Sequence, residues 1–171
     1  MSQKVALVVP TFNGAEDLHL LGKSVSQQTF NFSKKLVIDS SSSDNTVEIA
    51  QKYGFETITI PQVAFHHGRT RQHWVDILDD MDIICFMTQD AYLSNPKSIE
   101  RMLEALERPE IAAVYGKQRP RPSAGPIEAH ARLFNYPACS RDQSLEDVSH
   151  VGVKTAFFSN SFSAYKRKEL L

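Results

Sequence analysis

Two carboxylates and one arginine carry the most chemistry in this sequence. Asp39 follows the apolar run Leu36-Val37-Ile38 and opens the polar stretch Ser40-Ser41-Ser42-Ser43-Asp44. Asp90 follows Ile83-Ile84-Cys85-Phe86-Met87, with Thr88 and Gln89 between. A third apolar run, Val5-Ala6-Leu7-Val8-Val9, ends in Pro10-Thr11-Phe12-Asn13-Gly14. A carboxylate such as Asp90 can hold Mg²⁺ or Mn²⁺, because these ions take one or two protein carboxylates and complete their shell with phosphate and water. A metal there would stabilise a departing diphosphate. The plainer reading of Asp90 alone is a cap on the turn at Asn95-Pro96. Asp39 can accept a hydrogen bond from a base N–H or a ribose hydroxyl. Asp44 is better placed than Asp39 to cap the following helix, which leaves Asp39 for a ligand. The backbone of Thr11, Phe12 and Asn13 can bond a nucleobase edge, although Asn13-Gly14 also suits an ordinary turn.

Arg71 lies in the cluster His66-His67-Gly68-Arg69-Thr70-Arg71-Gln72-His73. Near a helix start it can reach phosphate oxygens together with helix N-terminal amides. A zinc site from His66, His67 and His73 is disfavoured, since no cysteine is near and the spacing matches no common zinc pattern. Lys117, Arg119 and Arg121 form a basic, proline-broken stretch that reads as a solvated loop able to steer an anionic acceptor.

The elements that must position these residues follow from the apolar pattern. Short apolar runs bounded by turn signals read as strands buried on both faces. Strands are expected at 4–10, 35–39, 56–60, 82–88 and 111–115, with a last one within 155–165. Helices are expected at 16–28, 44–53 and 70–78, after Asn95-Pro96, and at 126–134. Pro120, Pro122 and Pro126 make 118–126 a loop. Alternating strands and helices give an α/β fold with a mostly parallel central sheet between helical layers. With the first strand central, the second lies on one side and the fourth on the other. Ligands bind at such a switch point, outside the carboxyl ends of the strands, so Thr11, Asp39 and Asp90 are expected around one pocket.

The chain has 171 residues, 42% hydrophobic and 23% charged, with a net charge of −1. That is an ordinary globular composition, expected as one domain over 1–171, and it excludes a general polyanion binder, so no nucleic-acid partner is expected. Cys85 reads as a small core residue and Cys139 as a loop residue; two isolated cysteines make no disulfide scaffold and fit a reducing compartment. The start of the sequence lacks a signal-peptide pattern, and no apolar stretch reaches the roughly 20 residues needed to span a bilayer. A cytoplasmic location is expected, with any membrane contact peripheral and at the inner face.

Taken in order, the clusters resemble the inverting family 2 glycosyltransferases of GT-A fold, and within them the rhamnosyltransferase-like subgroup. The matching pieces are Val8-Val9-Pro10-Thr11-Phe12-Asn13-Gly14, then Ile38-Asp39 through Asp44-Asn45-Thr46, then Phe65-His66-His67-Gly68-Arg69-Thr70-Arg71, then Phe86-Met87-Thr88-Gln89-Asp90-Ala91. Val114–Gln118, Arg132–Pro137 and Phe157–Asn160 also look similar. The resemblance implies a Rossmann-like three-layer GT-A domain that binds a UDP- or dTDP-sugar and transfers the sugar to a glycan or lipid-linked acceptor in cell-surface polysaccharide synthesis. It implies that Pro10, Thr11 and Asn13 line the nucleotide pocket and that Asp39 contacts the base. Arg71 would lie near the diphosphate, Thr88 and Gln89 would touch the nucleotide sugar, and Asp90 would bind the metal.

Two departures from the family pattern shape the expectation. Thr88 stands where the family often has the first Asp of its metal element, so the metal rests on Asp90 with phosphate and water. That change suits a deoxyribose donor such as dTDP-rhamnose. The family's acidic general base follows the region matching Tyr165–Leu171, so the domain is expected to be C-terminally truncated with its base beyond Leu171. The competing expectation is a nucleotide-sugar-binding module without turnover. A dinucleotide-dependent oxidoreductase would need a glycine fingerprint after the first strand, and Pro10-Thr11-Phe12-Asn13-Gly14 holds one glycine.

Overall fold

A computed structural model describes residues 3–121, 123–136 and 138–171. Pro122 of the proline-broken stretch and Pro137 of the Arg132–Pro137 piece lie outside the described residues. The elements run β1 (Val5–Thr11), α1 (Ala15–Ser26), β2 (Lys34–Asp39), α2 (Thr46–Lys52), β3 (Glu56–Thr59), α3 (His67–Ile77), β4 (Ile83–Met87), α4 (Ser98–Leu106), β5 (Ala113–Tyr115), α5 (Pro126–Asn135), α6 (Val148–Val151) and β6 (Phe162–Lys166). The sheet order is β3-β2-β1-β4-β6-β5. β1 pairs in parallel with β2 and β4, β2 pairs in parallel with β3, and β6 runs antiparallel to β4. The first strand is therefore central, flanked by the second and fourth, as the alternating pattern requires.

Burial on both faces explains the unbroken apolar runs. Val5, Leu7 and Val9 of β1 face one side with Val37, Ile83, Cys85 and Met87. Ala6 and Val8 face the other with Leu36, Ile38, Ile84 and Phe86. This is the two-residue period of a strand read on both sides of a sheet. Leu18, Leu21 and Val25 of α1, Ala50 of α2, and Met102 and Leu106 of α4 cover the first side. Trp74, Val75 and Leu78, carried by α3 and the turn after it, cover the second. Each large apolar side chain so removed from water contributes about 1.5–3 kcal/mol before conformational entropy is counted.

Two boundaries differ most from the sequence expectation. α3 begins at His67 rather than Thr70, because Thr70 folds back on the chain: its amide donates to the His66 carbonyl at 2.9 Å and its hydroxyl accepts the His66 amide at 3.0 Å. β6 begins at Phe162 rather than near Thr155, because Gly152 adopts φ 64° and opens a 3₁₀ turn through Ala156.

The described residues form two compact units, one running to Val114 and completed by Asn160–Leu171, the other Tyr115–Ser159. The second unit draws the later sequence pieces together. The Tyr115 ring packs edge-on against Tyr136, Phe157 and Phe158. Gln118 donates to the Ser159 hydroxyl at 2.9 Å and accepts from the Arg132 guanidinium. Both cysteines are free thiols; Cys85 is buried and Cys139 exposed.

Candidate functional site

The carboxyl ends of β1, β2 and β4 meet the loop after β3 and the first turns of α3 around a cavity of about 310 Å³. Pro10, Thr11, Arg71, Thr88 and Gln89 all line it. These five come from three separate stretches of sequence: the parallel register of β1 with β4 brings Pro10, Thr11, Thr88 and Gln89 to one rim, and α3 supplies Arg71. Phe12, whose backbone was expected to meet a base edge, and His67, weighed as a zinc ligand, complete the wall with Ser40, Gln62 and Phe65, which were not singled out as site residues. Phe12, Ser40, Phe65 and His67 do fall inside the family-like pieces. Gln62 follows Pro61 with no sequence signal of its own.

Asn13, Asp39 and Asp90 stand outside this lining. Asn13 is a fastener between loops: its amide donates to the Ser42 hydroxyl at 2.8 Å, and its side-chain oxygen accepts the Ser43 amide at 2.8 Å. It holds φ 43°, a left-handed conformation that Asn tolerates better than most residues. The next two amides are used in the same way, Gly14 donating to Thr46 Oγ1 at 2.9 Å and Ala15 to Asp44 Oδ2 at 3.1 Å. The serine-rich loop and the first residue of α2 thus supply the oxygens that the amides at the head of α1 need.

Asp39 is only 1% exposed and lies one residue behind Ser40 of the cavity wall. Its carboxylate accepts the Ser42 amide at 2.9 Å, the Ser42 hydroxyl, and the Thr11 hydroxyl at a long 3.5 Å. Its lone pairs are therefore turned towards its own loop. Asp44 satisfies the head of α2 from one residue before its N-cap, Asn45: Oδ1 accepts the Thr46 amide at 3.1 Å. Desolvation alone would raise its carboxyl, but bonds from the Thr46 hydroxyl and from neighbouring amides outweigh it and hold the group below the ordinary carboxylate value.

Asp90 is exposed in the turn after β4, next to Gln89 of the cavity wall. β1 lies between β2, which ends in Asp39, and β4, which leads into the turn that holds Asp90. Among the described residues no group of three or more His, Cys, Asp or Glu is arranged to hold a metal. The donor set suits an ion that takes a single protein carboxylate and draws the rest of its shell from phosphate and water, which is the habit of Mg²⁺. A zinc site from His66, His67 and His73 finds no support in this arrangement.

Gln89 closes the rim by gripping the first turn. Its side-chain oxygen accepts the Phe12 amide at 2.8 Å and its amide donates back to the Phe12 carbonyl at 3.2 Å. The grip depends on Gly14, where an added Cβ would lie 2.5 Å from Gln89 Cδ. The Phe12 backbone is thus occupied by protein rather than left open to a base edge.

Arg71 is the principal cation of the cavity. Nη1 donates to the His67 carbonyl at 2.6 Å, and the guanidinium lies over the Phe86 ring at 5.8 Å. Its Nε is buried without a hydrogen-bond partner. Burial pulls the guanidinium below its usual range, with the nearby Tyr165 hydroxyl acting the other way. An anion entering the cavity would remove part of that desolvation cost by pairing with the guanidinium.

Comparison with known proteins identifies the family and the fold. The model of "Glycosyl transferase family 2" matches residues 6–170. The O-antigen chain rhamnosyltransferase RfbN of Salmonella typhimurium is 39% identical over 165 residues, covering 96% of this chain and 52% of that protein. The O-antigen chain rhamnosyltransferase WbaN of Salmonella anatum is 38% identical over 166 residues, covering 94% of this chain and 51% of that protein. The chain thus spans about half the length of these curated relatives. In structure, the mannosyltransferase PcManGT from Pyrobaculum calidifontis, solved with GDP-Man and Mn²⁺, superposes with a TM-score of 0.67 at 17% identity, covering 98% of this chain and 46% of that one. Glucosyl-3-phosphoglycerate synthase from Mycobacterium tuberculosis, solved with UDP, gives 0.66 at 17% identity, covering 98% and 58%. The fold is GT-A, and the chain belongs to glycosyl transferase family 2.

Proposed function

We propose that this chain forms the donor site of an inverting glycosyltransferase. It takes a sugar, rhamnose foremost, from a dTDP- or UDP-sugar and passes it to a glycan or lipid-linked acceptor in cell-surface polysaccharide synthesis. The observation that carries the reading is the convergence of Pro10, Thr11, Arg71, Thr88 and Gln89 on one cavity at the strand ends. The names of the two rhamnosyltransferase relatives support the choice of sugar.

In this reading the nucleoside enters between the β1 turn and the Gln62–Phe65 segment, and Arg71 pairs with the diphosphate as it departs. Thr11 and Ser40 offer polar contacts at the base, with Asp39 fixing their loop from behind. Asp90 would hold Mg²⁺ or Mn²⁺, whose chemistry is to neutralise charge on the leaving diphosphate. Transfer is a single displacement, with the acceptor hydroxyl attacking the anomeric carbon opposite the leaving group and so inverting it. Among the described residues no helix is long and apolar enough to cross a membrane; we place the enzyme at the cytoplasmic face, meeting lipid-linked acceptors peripherally.

Titration calorimetry with dTDP and UDP, with and without Mn²⁺, tests the assignment. Both nucleotides should bind, dTDP more tightly, and Mn²⁺ should strengthen binding. Asp90→Asn should abolish the Mn²⁺ effect. Arg71→Met should weaken binding by roughly 10- to 100-fold, the loss of a charge-assisted hydrogen bond. Absence of nucleotide binding, or binding that neither substitution alters, overturns the reading. A clear preference for UDP counts against the dTDP-rhamnose donor.

A further inference from the structure

The helix α5 turns its apolar stripe away from the protein. Ile127, His130, Ala131 and Phe134 recur at the spacing that puts them on one helix face, and all four are exposed. The opposite face carries Ala129 and Arg132 and is continued by the cap residue Tyr136. Tyr136 is buried, and the Arg132 guanidinium donates to the Gln118 side chain. This reverses the usual order, in which a surface helix packs through its apolar stripe. Ile127 is 87% exposed and Phe134 63%, with Leu133 beside the stripe at 62%.

A cation is fixed to this stripe. Lys154, from the 3₁₀ turn Gly152–Ala156, holds its Nζ 4.1 Å from the centroid of the Phe134 ring. Its neighbour Val153 is 91% exposed. The His130 ring stacks with Phe134 at 6.1 Å and 22°. Across Tyr115–Ser159 the sequence has six Lys and Arg against four Asp and Glu, whereas the rest of the chain has thirteen against sixteen. The unit that bears these exposed apolar side chains is therefore the basic one.

We infer that α5 and the Gly152–Ala156 turn dock on an anionic phospholipid surface, with Ile127 and Phe134 entering the boundary between headgroups and acyl chains and Lys154 meeting lipid phosphate. Two observations select this occupant. The excess of positive charge complements the negative surface of an anionic bilayer. Ile127 and Val153 protrude almost fully, and a rigid protein partner would need a matching hole for each, whereas a bilayer interface yields to them. The long Lys154 side chain lets its ammonium stay among phosphates while the Phe134 ring beneath it goes deeper.

The inference rests on the peripheral membrane placement proposed above, but its test uses no nucleotide, so failure of docking and failure of donor binding are read separately. The chain is co-sedimented with vesicles of phosphatidylcholine alone and of phosphatidylcholine with about one-third phosphatidylglycerol. Binding should require phosphatidylglycerol and fall as salt rises. Ile127→Ser combined with Phe134→Ser should weaken it by at least about 10-fold, and Lys154→Gln by about 5-fold. Leu20→Ser, which removes an exposed apolar side chain of α1, should bind as the wild type does. In Phe134→Trp, lipids brominated in the acyl chain should quench the new indole, while the buried Trp74 supplies the unquenched background of the wild type. The inference is overturned if the wild type ignores phosphatidylglycerol vesicles, if the double variant binds as the wild type does, if Leu20→Ser weakens binding equally, or if the new indole is not quenched. A dimer in sedimentation equilibrium that the double variant dissolves would assign the face to a second copy and overturn it as well.

Discussion

Replacing Gly14 by Ala tests whether the rim of the nucleotide cavity is held by Gln89. The added Cβ would lie 2.5 Å from both Cδ and Nε2 of Gln89 and 2.7 Å from Oε1. Those atoms end a flexible side chain, so Gln89 moves rather than the backbone, and it loses both bonds to Phe12. Two hydrogen bonds at a net 0.5–1.5 kcal/mol each make that loss about 1–3 kcal/mol. Gly14 is also the residue preceding α1, at φ −123°. No left-handed strain arises there, but the weak preference for Gly over Ala at this position adds up to about 1 kcal/mol. The sum, roughly 1–4 kcal/mol, should lower the melting temperature by about 2–16 °C in a chain of this size. In the Gln89→Ala background the same substitution should cost only the remaining 1 kcal/mol or less. A double-mutant cycle by urea denaturation should therefore give a coupling of about 1–3 kcal/mol. If the two substitutions add to within about 0.5 kcal/mol, the clamp is not what Gly14 protects, and the reasoning fails.

Acid sensitivity and thiol reactivity supply further checks. Because the folded state holds the Asp44 carboxyl below its ordinary value of 3.8, the stability it contributes is complete above that pH and is lost as pH falls through the lower folded value. Asp44→Asn should flatten the fall in stability below that value, as followed by circular dichroism; an unchanged acid profile refutes the cap. Burial pushes the Cys85 thiol up to about 12, whereas Cys139 is exposed. A thiol reagent at mildly alkaline pH should modify Cys139 quickly and Cys85 only on unfolding, so two fast-reacting thiols would contradict the buried strand.

The sequence by itself determined the alternation of strands and helices, because apolar runs closed by turn residues specify burial on both faces. It also brought Pro10, Thr11, Thr88 and Gln89 to the strand ends, where they line one cavity, since these residues continue the strands. Arg71 was legible as a cation at the head of a helix. The order of strands was legible only around β1. That β6 runs antiparallel between β4 and β5 leaves no mark on the local pattern, since side-chain period does not encode which neighbour a strand takes. Tertiary structure alone decided how the polar groups are spent. Asn13 and Asp39, read as ligand contacts, lie outside the cavity lining and bond to the serine loop, while Gln89 grips a backbone 77 residues away. Partners of this kind depend on the register of β1 against β2 and β4. A side-chain oxygen two residues off would find another amide, and one-dimensional spacing carries no such distance.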